Sequence, residues 1–329
     1  MTIIITGGAG FIGSNLVAEL SENSKHELVI CDFLDSQEKK LNLAKHNVRE
    51  IINPPDLMAY LEANKKNIEV IFHMGAVSST VEKNLELITR SNVDLPLALW
   101  HWCVKNNVRF LYASSAATYG NGDLGFSDDE SIDYLTSLKP LNPYGQSKNQ
   151  FDIEAKKLAL AGIAPPQWAG FKFFNVYGPN EYHKGGQKSV VCQMFKQVKE
   201  TGKVRLFKSY NTNYADGGQL RDFVYVKDCC NILMWFLNNK NVNGIFNVGS
   251  GKARSFYDLA LALFSALKID NPQIEYFEMP VEIRDRYQYF TEASLVKLKN
   301  SGYAEPTTSL ESGVYDYTTN YLNTKDPYR

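Results

Sequence analysis

The sequence predicts an α/β protein: a doubly wound parallel sheet with a smaller C-terminal α/β domain. Three observations carry that expectation. Short β-branched or apolar runs alternate with longer amphipathic segments through the first half of the chain, as strands joined by crossover helices do. The first run, Met1–Thr6, leads straight into Gly7-Gly8-Ala9-Gly10-Phe11-Ile12-Gly13 and then into helical spacing. After Asn175 the texture changes, and Gly, Pro and polar residues gather in irregular stretches.

Taken in order, Met1–Thr6 reads as a strand and Ser14–Leu20 as a helix. Leu28–Cys31 is a second strand, ending at Asp32, and Val70–His73 a third. Leu95–Val104 has helical spacing, with Leu97, Trp100, His101 and Val104 on one stripe. Phe110–Ala113 is a fourth strand and runs into Ser114-Ser115. Asn149–Leu160 reads as a helix and Phe171–Phe174 as a strand. Gly178–Gly186 and Ser209–Gly218 are turn-forming, and such segments in a compact protein are usually binding loops. Regular patterns return as a helix at Asp228–Leu237, a strand at Ile245–Val248 and a helix at Phe256–Leu267. The expected division is residues 1–173 as the sheet domain, with segments near 223–250 and 288–305 returning to it. Residues 174–329 then form a second, discontinuous domain.

Composition narrows the function. The balance of 35 basic against 36 acidic residues lacks the basic surplus of a nucleic-acid binder. No apolar run approaches the ~20 residues that span a bilayer, and the N-terminus has no secretory pattern. The cysteines, Cys31, Cys103, Cys192, Cys229 and Cys230, are odd in number and lack metal-ligand spacing. They read as reduced thiols in a cytoplasmic protein. No metal, membrane or nucleic-acid partner is expected.

Gly7, Gly10 and Gly13 recur every third residue between a strand and a helix. The first permits a tight turn, the second lets backbone approach a phosphate, and the third lets helix pack on strand. The helix N-terminus then offers free N–H groups to a pyrophosphate. No Lys follows the last glycine, so the turn is not a Walker-type loop. Asp32 can accept hydrogen bonds from an adenosine ribose, which suggests NAD. Lys39 and Lys40 follow in the next loop, where a 2′-phosphate needs a cation; a solvated lysine pair fits them equally well.

Tyr144 and Lys148, in Tyr-Gly-Gln-Ser-Lys, share one helix face. An ammonium there stabilises a phenolate and is expected to draw the Tyr pKa below its usual ~10. Such a group takes a proton from a carbinol as hydride leaves its carbon. Ser115 lies just past a strand end, where open parallel sheets place ligands, and its hydroxyl can hold the reacting oxygen.

Ser115, Tyr144 and Lys148 together with the glycine turn resemble the extended short-chain dehydrogenase/reductase family over nearly the whole chain. That resemblance implies a Rossmann-type sheet and a small C-terminal substrate domain. Four stretches narrow it: FLYASSAATYG from Phe110, FNVYGPNEYHKG from Phe174, RDFVYVKD from Arg221, and RYQYFT from Arg286. They resemble the sugar-nucleotide epimerases that invert C6 of an ADP-linked heptose, and His183-Lys184-Gly185 is the most specific piece. The implied activity is epimerisation with tightly bound NADP, NAD being possible. The implied context is lipopolysaccharide precursor synthesis by a homo-oligomer acting on a small nucleotide-sugar.

Inversion through a ketone removes and returns hydride on opposite faces, so a second proton carrier helps. The resemblance assigns that role to Lys184; on chemistry alone it reads more readily as a phosphate-binding or solvated lysine. By position, Phe11, Ile12, Asp32, Phe33, Lys39, Gly75, Ala76, Val77, Ser78, Asn92 and Val176 match cofactor contacts. Asn175, Phe207 and Tyr287 match substrate contacts, and Arg221 suits a diphosphate because its planar fork binds paired oxygens. Gly186 and Gln193 are carried over by position only. Met74, Pro54, Gly186 and Gln193 depart from the family pattern. His73 reads as a satisfied core histidine, His101 as helix packing and Cys229-Cys230 as helix packing. A UDP-hexose 4-epimerase and a non-catalytic dinucleotide-binding regulator are the alternatives. A 4,6-dehydratase would carry acidic residues where Ala116 and Ala117 stand.

Overall fold

Seven parallel strands form the body of the computed structural model, which describes residues 1–80, 82–284 and 287–329. Six come first in the chain: β1 Thr2–Thr6, β2 Glu27–Cys31, β3 Glu50–Ile52, β4 Ile68–His73, β5 Arg109–Ser115 and β6 Trp168–Phe173. The others are β7 Asn175–Tyr177, β8 Lys203–Phe207, β9 Leu220–Tyr225, β10 Gly244–Val248, β11 Ala253–Ser255 and β12 Gln273–Phe277. The large sheet runs β10-β6-β5-β4-β1-β2-β3 with every pair parallel. Strand order reverses between β1 and β4, and ligands of such sheets bind at that switch point. Ile3, Ile4, Ile5, Val70, Ile71, Phe72, Phe110 and Leu111 are fully buried. Helices cover both faces of a parallel sheet, so its strands read as unbroken apolar runs.

The longer helices are α1 Phe11–Asn23, α2 Gln37–Leu43, α3 Leu57–Asn64, α4 Leu95–Asn106, α5 Pro143–Leu160, α6 Val190–Thr201, α7 Val226–Asn238, α8 Phe256–Ala266 and α9 Leu310–Tyr317. Their ends follow local chemistry. Asn142 caps α5 by accepting from the Gly145 N–H at 2.8 Å, with Pro143 in the first turn. Ser255 and Asp258 form a reciprocal capping box on α8. Asn107 closes α4 in the left-handed conformation at φ 55°.

A second hydrophobic core lies beside the first. It gathers Val191, Met194 and Val198 of α6, Val204 and Leu206 of β8, Leu259 and Leu263 of α8, and Val314 and Tyr317 of α9. A three-stranded sheet, β11-β9-β7, and the β12-β8 pair frame it.

The observed strands and helices overlap every one read from the sequence, with differences that have reasons. The α4 stripe is turned: Leu99, Trp100, Trp102 and Cys103 are buried while His101 is exposed, so His101 does not pack. Apolar residues lie on most sides of that helix and fit more than one stripe, and the core takes the one carrying both tryptophans. The Gly178–Gly186 stretch is not wholly irregular, since Tyr182–Gln187 forms 3₁₀ turns. The segments α2, β3, α3, β7, α6, β8, β9, β11, β12 and α9 lie outside the sequence reading. α6 was readable, because Val191, Met194 and Val198 recur at helical spacing. β3 has three residues with only Ile52 buried, so it carries no alternation to read. Among the described residues no helix is long and apolar enough to cross a membrane. All five cysteines are free thiols, and Cys229 and Cys230 are packed in α7.

Candidate active site

The glycine turn is shaped by contact rather than by composition alone. Gly7 has φ +65°, and a Cβ there would lie 2.5 Å from the Gly75 Cα. A Cβ at Gly13 would collide with the Gly7 carbonyl. The turn and the loop after β4 thus touch backbone to backbone, which only glycine allows. Phe11 and Ile12 open α1, whose first N–H groups have no partner within the helix.

Asp32 ends β2 beside this turn. One carboxylate oxygen accepts from the Ala9 N–H at 2.9 Å, and the other pairs with the Lys39 ammonium at 3.2 Å. Lys39 also reaches Asp35 at 3.2 Å and the Phe33 carbonyl at 3.0 Å. Lys40 is exposed. Lys39, not Lys40, therefore pairs with the Asp32 carboxylate. The Phe33 ring is exposed beside them. Gly75, Ala76, Val77 and Ser78 form the wall after β4. Asn92 braces that wall: it accepts from the Val77 N–H at 2.9 Å, and donates to the Val77 carbonyl and the Ser147 hydroxyl, each at 3.0 Å. These groups fit a nicotinamide dinucleotide: a glycine cradle that a Cβ would fill, open helix N–H groups, and a ribose-height carboxylate with a cation above it.

Ser115 ends β5, and its hydroxyl accepts from the Ala117 N–H at 3.1 Å. Tyr144 stands in the first turn of α5, and Lys148 one turn later. Lys148 is buried, with its ammonium on the Ala113 carbonyl at 2.7 Å. Burial lowers its pKa to about 8, against the opposing pull of Asp152. Tyr144 departs from expectation. Burial pushes its phenol above the ordinary value, and the Ser115 hydroxyl only partly offsets this. The physical reason is that removing a phenolate from water costs more than one hydroxyl neighbour returns, and the Asp152 carboxylate adds to that cost.

His73 is half satisfied rather than satisfied. Its Nδ1 meets the Thr6 hydroxyl at 2.7 Å, while its buried Nε2 has no partner. Burial and the Lys148 charge lower its pKa to about 3, so it is neutral at physiological pH.

Lys184 sits in the 3₁₀ turns, with its ammonium 5.1 Å from the Phe11 ring centroid. Burial lowers its pKa, and Glu181 resists. Glu181 is fully buried and anchors the loop, accepting from the Ser189 hydroxyl at 2.6 Å and the Tyr317 hydroxyl at 2.9 Å. Asn42 of α2 fastens the same loop to the glycine turn, donating to the Asn180 carbonyl at 3.0 Å and the Ala9 carbonyl at 2.9 Å. His183 rests against Asn42 at 3.4 Å and has its pKa lowered to about 4 by burial, Lys39 and Lys184.

Arg221 of β9 is buried with no carboxylate partner among the described residues. Its guanidinium donates to the Leu220 and Gln288 carbonyls and lies 5.3 Å from the Tyr287 ring and 5.7 Å from Phe256. A charge held by carbonyls and ring faces remains to be matched by an anion. Phe207 completes this wall, 4.8 Å from Phe277 and 6.2 Å from Tyr287 between ring centroids. The Ser209–Gly218 loop is tied to the same wall by the Tyr210 N–H on the Tyr289 hydroxyl at 3.1 Å and by Tyr214 against Tyr289.

Asn175 and Val176 line β7, where Asn175 is exposed and accepts from Thr291 at 3.4 Å. Gly186 and Gln193 meet each other: the Gln193 amide reaches the Gly186 carbonyl at 3.5 Å and the Lys188 carbonyl at 2.7 Å. Met74 packs against the main core, and Pro54 opens a 3₁₀ turn. Arg286 lies outside the described residues. The sequence reading missed Asn42, Gln288, Tyr289 and Glu181. Gln288 lies inside the RYQYFT stretch, and it bridges Arg221 to the Gly120 carbonyl at 2.7 Å.

Comparison with known proteins bears on this geometry. The model of the NAD dependent epimerase/dehydratase family matches residues 3–249. An ADP-L-glycero-D-manno-heptose-6-epimerase of Fusobacterium nucleatum is 46% identical over 333 residues, 99% of each chain. One from Nitratidesulfovibrio vulgaris strain DP4 is 44% identical over 328 residues, 99% of each chain. The crystal structure of the Helicobacter pylori ADP-L-glycero-D-manno-heptose-6-epimerase aligns with TM-score 0.76 and 29% identity, covering 97% of this chain and 95% of that one. A dTDP-glucose 4,6-dehydratase from Bacillus anthracis, in complex with NAD, aligns with TM-score 0.78 at 22% identity, over 100% and 98% of the two chains. That last likeness concerns the fold alone.

Proposed function

Because the chain belongs to the NAD dependent epimerase/dehydratase family, we propose that it inverts C6 of the heptose in ADP-D-glycero-D-manno-heptose through a transient 6-ketone. The observation that carries this reading is a second, half-buried amine at the site. Lys184 lies against Phe11 at the start of α1, on a loop separate from the Tyr144–Lys148 helix. An enzyme that only oxidised or only reduced would need one proton carrier; inversion uses two. The relatives named as heptose 6-epimerases support the same substrate.

A bound nicotinamide dinucleotide supplies the hydride acceptor and donor. The residues of this chain do the rest. Ser115 holds the C6 oxygen by hydrogen bond, and Tyr144 takes its proton as phenolate or returns it as phenol. Lys148 holds the phenolate form with its charge. Lys184 serves the opposite face of the ketone, where a lowered pKa eases proton exchange. Arg221 binds the diphosphate, with Tyr287 and Phe207 beside it, and Asn175 meets the sugar. Phe11, Ile12, Gly75–Ser78, Asn92 and Val176 wall the dinucleotide. Lys39 over Asp32 favours NADP, since a 2′-phosphate there would take the ammonium from the carboxylate. The second hydrophobic core corresponds to a substrate domain within 174–329. The free thiols suit a reducing cytoplasm, and homo-oligomeric assembly and a place in lipopolysaccharide precursor synthesis complete the proposal.

The test is to incubate purified protein with NADP and ADP-D-glycero-D-manno-heptose and follow the epimer ratio by NMR. Approach to a mixture of C6 epimers is the expected outcome. No conversion with NADP tightly bound overturns the substrate, and UDP- and GDP-hexoses would then be screened.

A further inference from the structure

We propose that Asp152, through its buried pairing with Lys172, is a positioning residue that sets Ser115, Tyr144 and Lys148 relative to one another. The activity readout rests on the epimerase reading; the geometry does not. Tyr144, Lys148 and Asp152 follow at four-residue intervals on α5 and so share one face. Asp152 is fully buried, and both oxygens are engaged. One accepts from the Tyr112 hydroxyl at 3.0 Å. The other accepts from the Ser114 hydroxyl at 2.7 Å and pairs with the Lys172 ammonium at 2.8 Å.

The chain of contacts continues to the serine. Lys172, in β6, is also fully buried and donates to the Thr118 hydroxyl at 2.7 Å. Thr118 donates in turn to the Ser115 carbonyl at 2.9 Å. The Tyr119 ring closes over the ammonium at 5.0 Å. Helix α5 is thus tied to β5 twice, by Asp152 at Tyr112 and Ser114 and by Lys148 at Ala113. It is tied to the turn after β5 by the Lys172–Thr118 link. The result is one rigid frame for the three groups that face the reacting carbon.

Packing alone does not select such a pair. Taking two charges out of water costs several kcal/mol per ion, and apolar residues of similar volume often serve stability as well. Among the described residues the other ion pairs keep at least one member partly exposed, including Lys39–Asp32, Arg109–Glu69 and Arg329–Glu19. The fully buried pair lies directly behind the candidate catalytic residues. Its charge also raises the Lys148 pKa against burial. The other titratable groups around Lys148 are Tyr144 on α5, His73 on β4, Tyr112 on β5 and Lys172 on β6.

The experiment uses the full chain loaded with NADP. The double variant Asp152→Asn/Lys172→Met removes both charges and keeps the volume. Two readouts are taken: kcat and KM for epimerisation, and the titration of Tyr144. The titration is read as the tyrosinate absorbance difference between each protein and the same protein carrying Tyr144→Phe. It needs no substrate, so it stands even if heptose is not turned over. The expected result is a folded protein with KM within about twofold, kcat lowered at least about tenfold, and a displaced Tyr144 midpoint. Lys172→Arg, which keeps the charge and the bond to Asp152, is expected to restore most of the rate. If the double variant does not fold, Thr118→Val cuts the link to Ser115 without stranding a charge, and a several-fold loss of kcat with a displaced midpoint is expected. Loss of thermal stability with kcat and the Tyr144 midpoint unchanged in whichever variant folds would overturn the proposal and leave the pair a structural one.

Discussion

The two halves of the site are held in different ways. Ser115, Tyr144, Lys148 and the glycine turn sit at ends of strands and helices of the large sheet, where backbone geometry sets their places. Lys184, Arg221 and Tyr287 sit on segments of the smaller unit, stitched by side chains from distant parts of the chain. Asn42 holds the loop of Lys184 from a point 138 residues away at Asn180. A site half built from element ends is preformed by the sheet; a half built from stitches depends on each stitch. The contrast predicts that substitutions in the first half act on chemistry and those in the second on selectivity and binding.

Tyr144→Phe should have the largest effect. It removes the group proposed to move the carbinol proton and is expected to lower kcat about 10³-fold, within the range for a general acid–base. NADP affinity, measured by fluorescence titration, should hold. Lys184→Met should cost about 10²-fold in epimerisation. It should still allow single-turnover reduction of bound NADP, read by absorbance, because the first face keeps its base. If that reduction vanishes too, the division of labour between the halves is wrong. Arg221→Met should raise KM about 10- to 100-fold with kcat within about threefold, because a charged hydrogen bond contributes roughly 1.5–3 kcal/mol. A fall in kcat instead would move Arg221 into the chemical half.

Two smaller effects sharpen the same contrast. The Lys148 pKa of about 8 means its ammonium is present below that pH and lost above it. Because Tyr144 titrates above its ordinary value, a rate that needs both its phenolate and the ammonium should rise about tenfold per unit up to about pH 8 and level off beyond it, where loss of ammonium cancels the gain of phenolate. The kcat/KM profile of the protein checks this. Lys39→Ala should weaken NADP about fivefold, the size of a partly exposed ion pair near 1 kcal/mol. NAD affinity should stay level or improve as Asp32 is freed. Equal losses for both cofactors would remove Lys39 from the 2′-phosphate.

The same contrast governs how much was legible in the sequence. The sheet, the glycine turn and the Tyr144–Lys148 spacing could be read because each obeys a short-range rule: period, turn chemistry or four-residue helix spacing. Arg221 and Lys184 could be picked out through family resemblance, but not the groups that hold them. Asn42 lacks any local signature, and Glu181 and Gln288, though inside motif stretches, show no local sign of what they hold, since their partners lie on other segments. The Tyr144 pKa was misjudged for a related reason. Spacing told which lysine stands near the phenol, but not that burial raises the phenol's pKa by more than its neighbours lower it. His101 failed for want of a criterion between two apolar stripes on one helix.

The strand order has a consequence for how the chain is made. Strand β6 is complete at Phe173, but its outer neighbour β10 begins only at Gly244. During synthesis the row of N–H and C=O groups along Trp168–Phe173 stays open until the ribosome has added everything between them. An open, apolar edge is a template for pairing with another chain. Nascent protein halted shortly before Gly244 should therefore be far more prone to aggregate than the finished chain, although the glycine turn and the Tyr144–Lys148 helix have both already been translated.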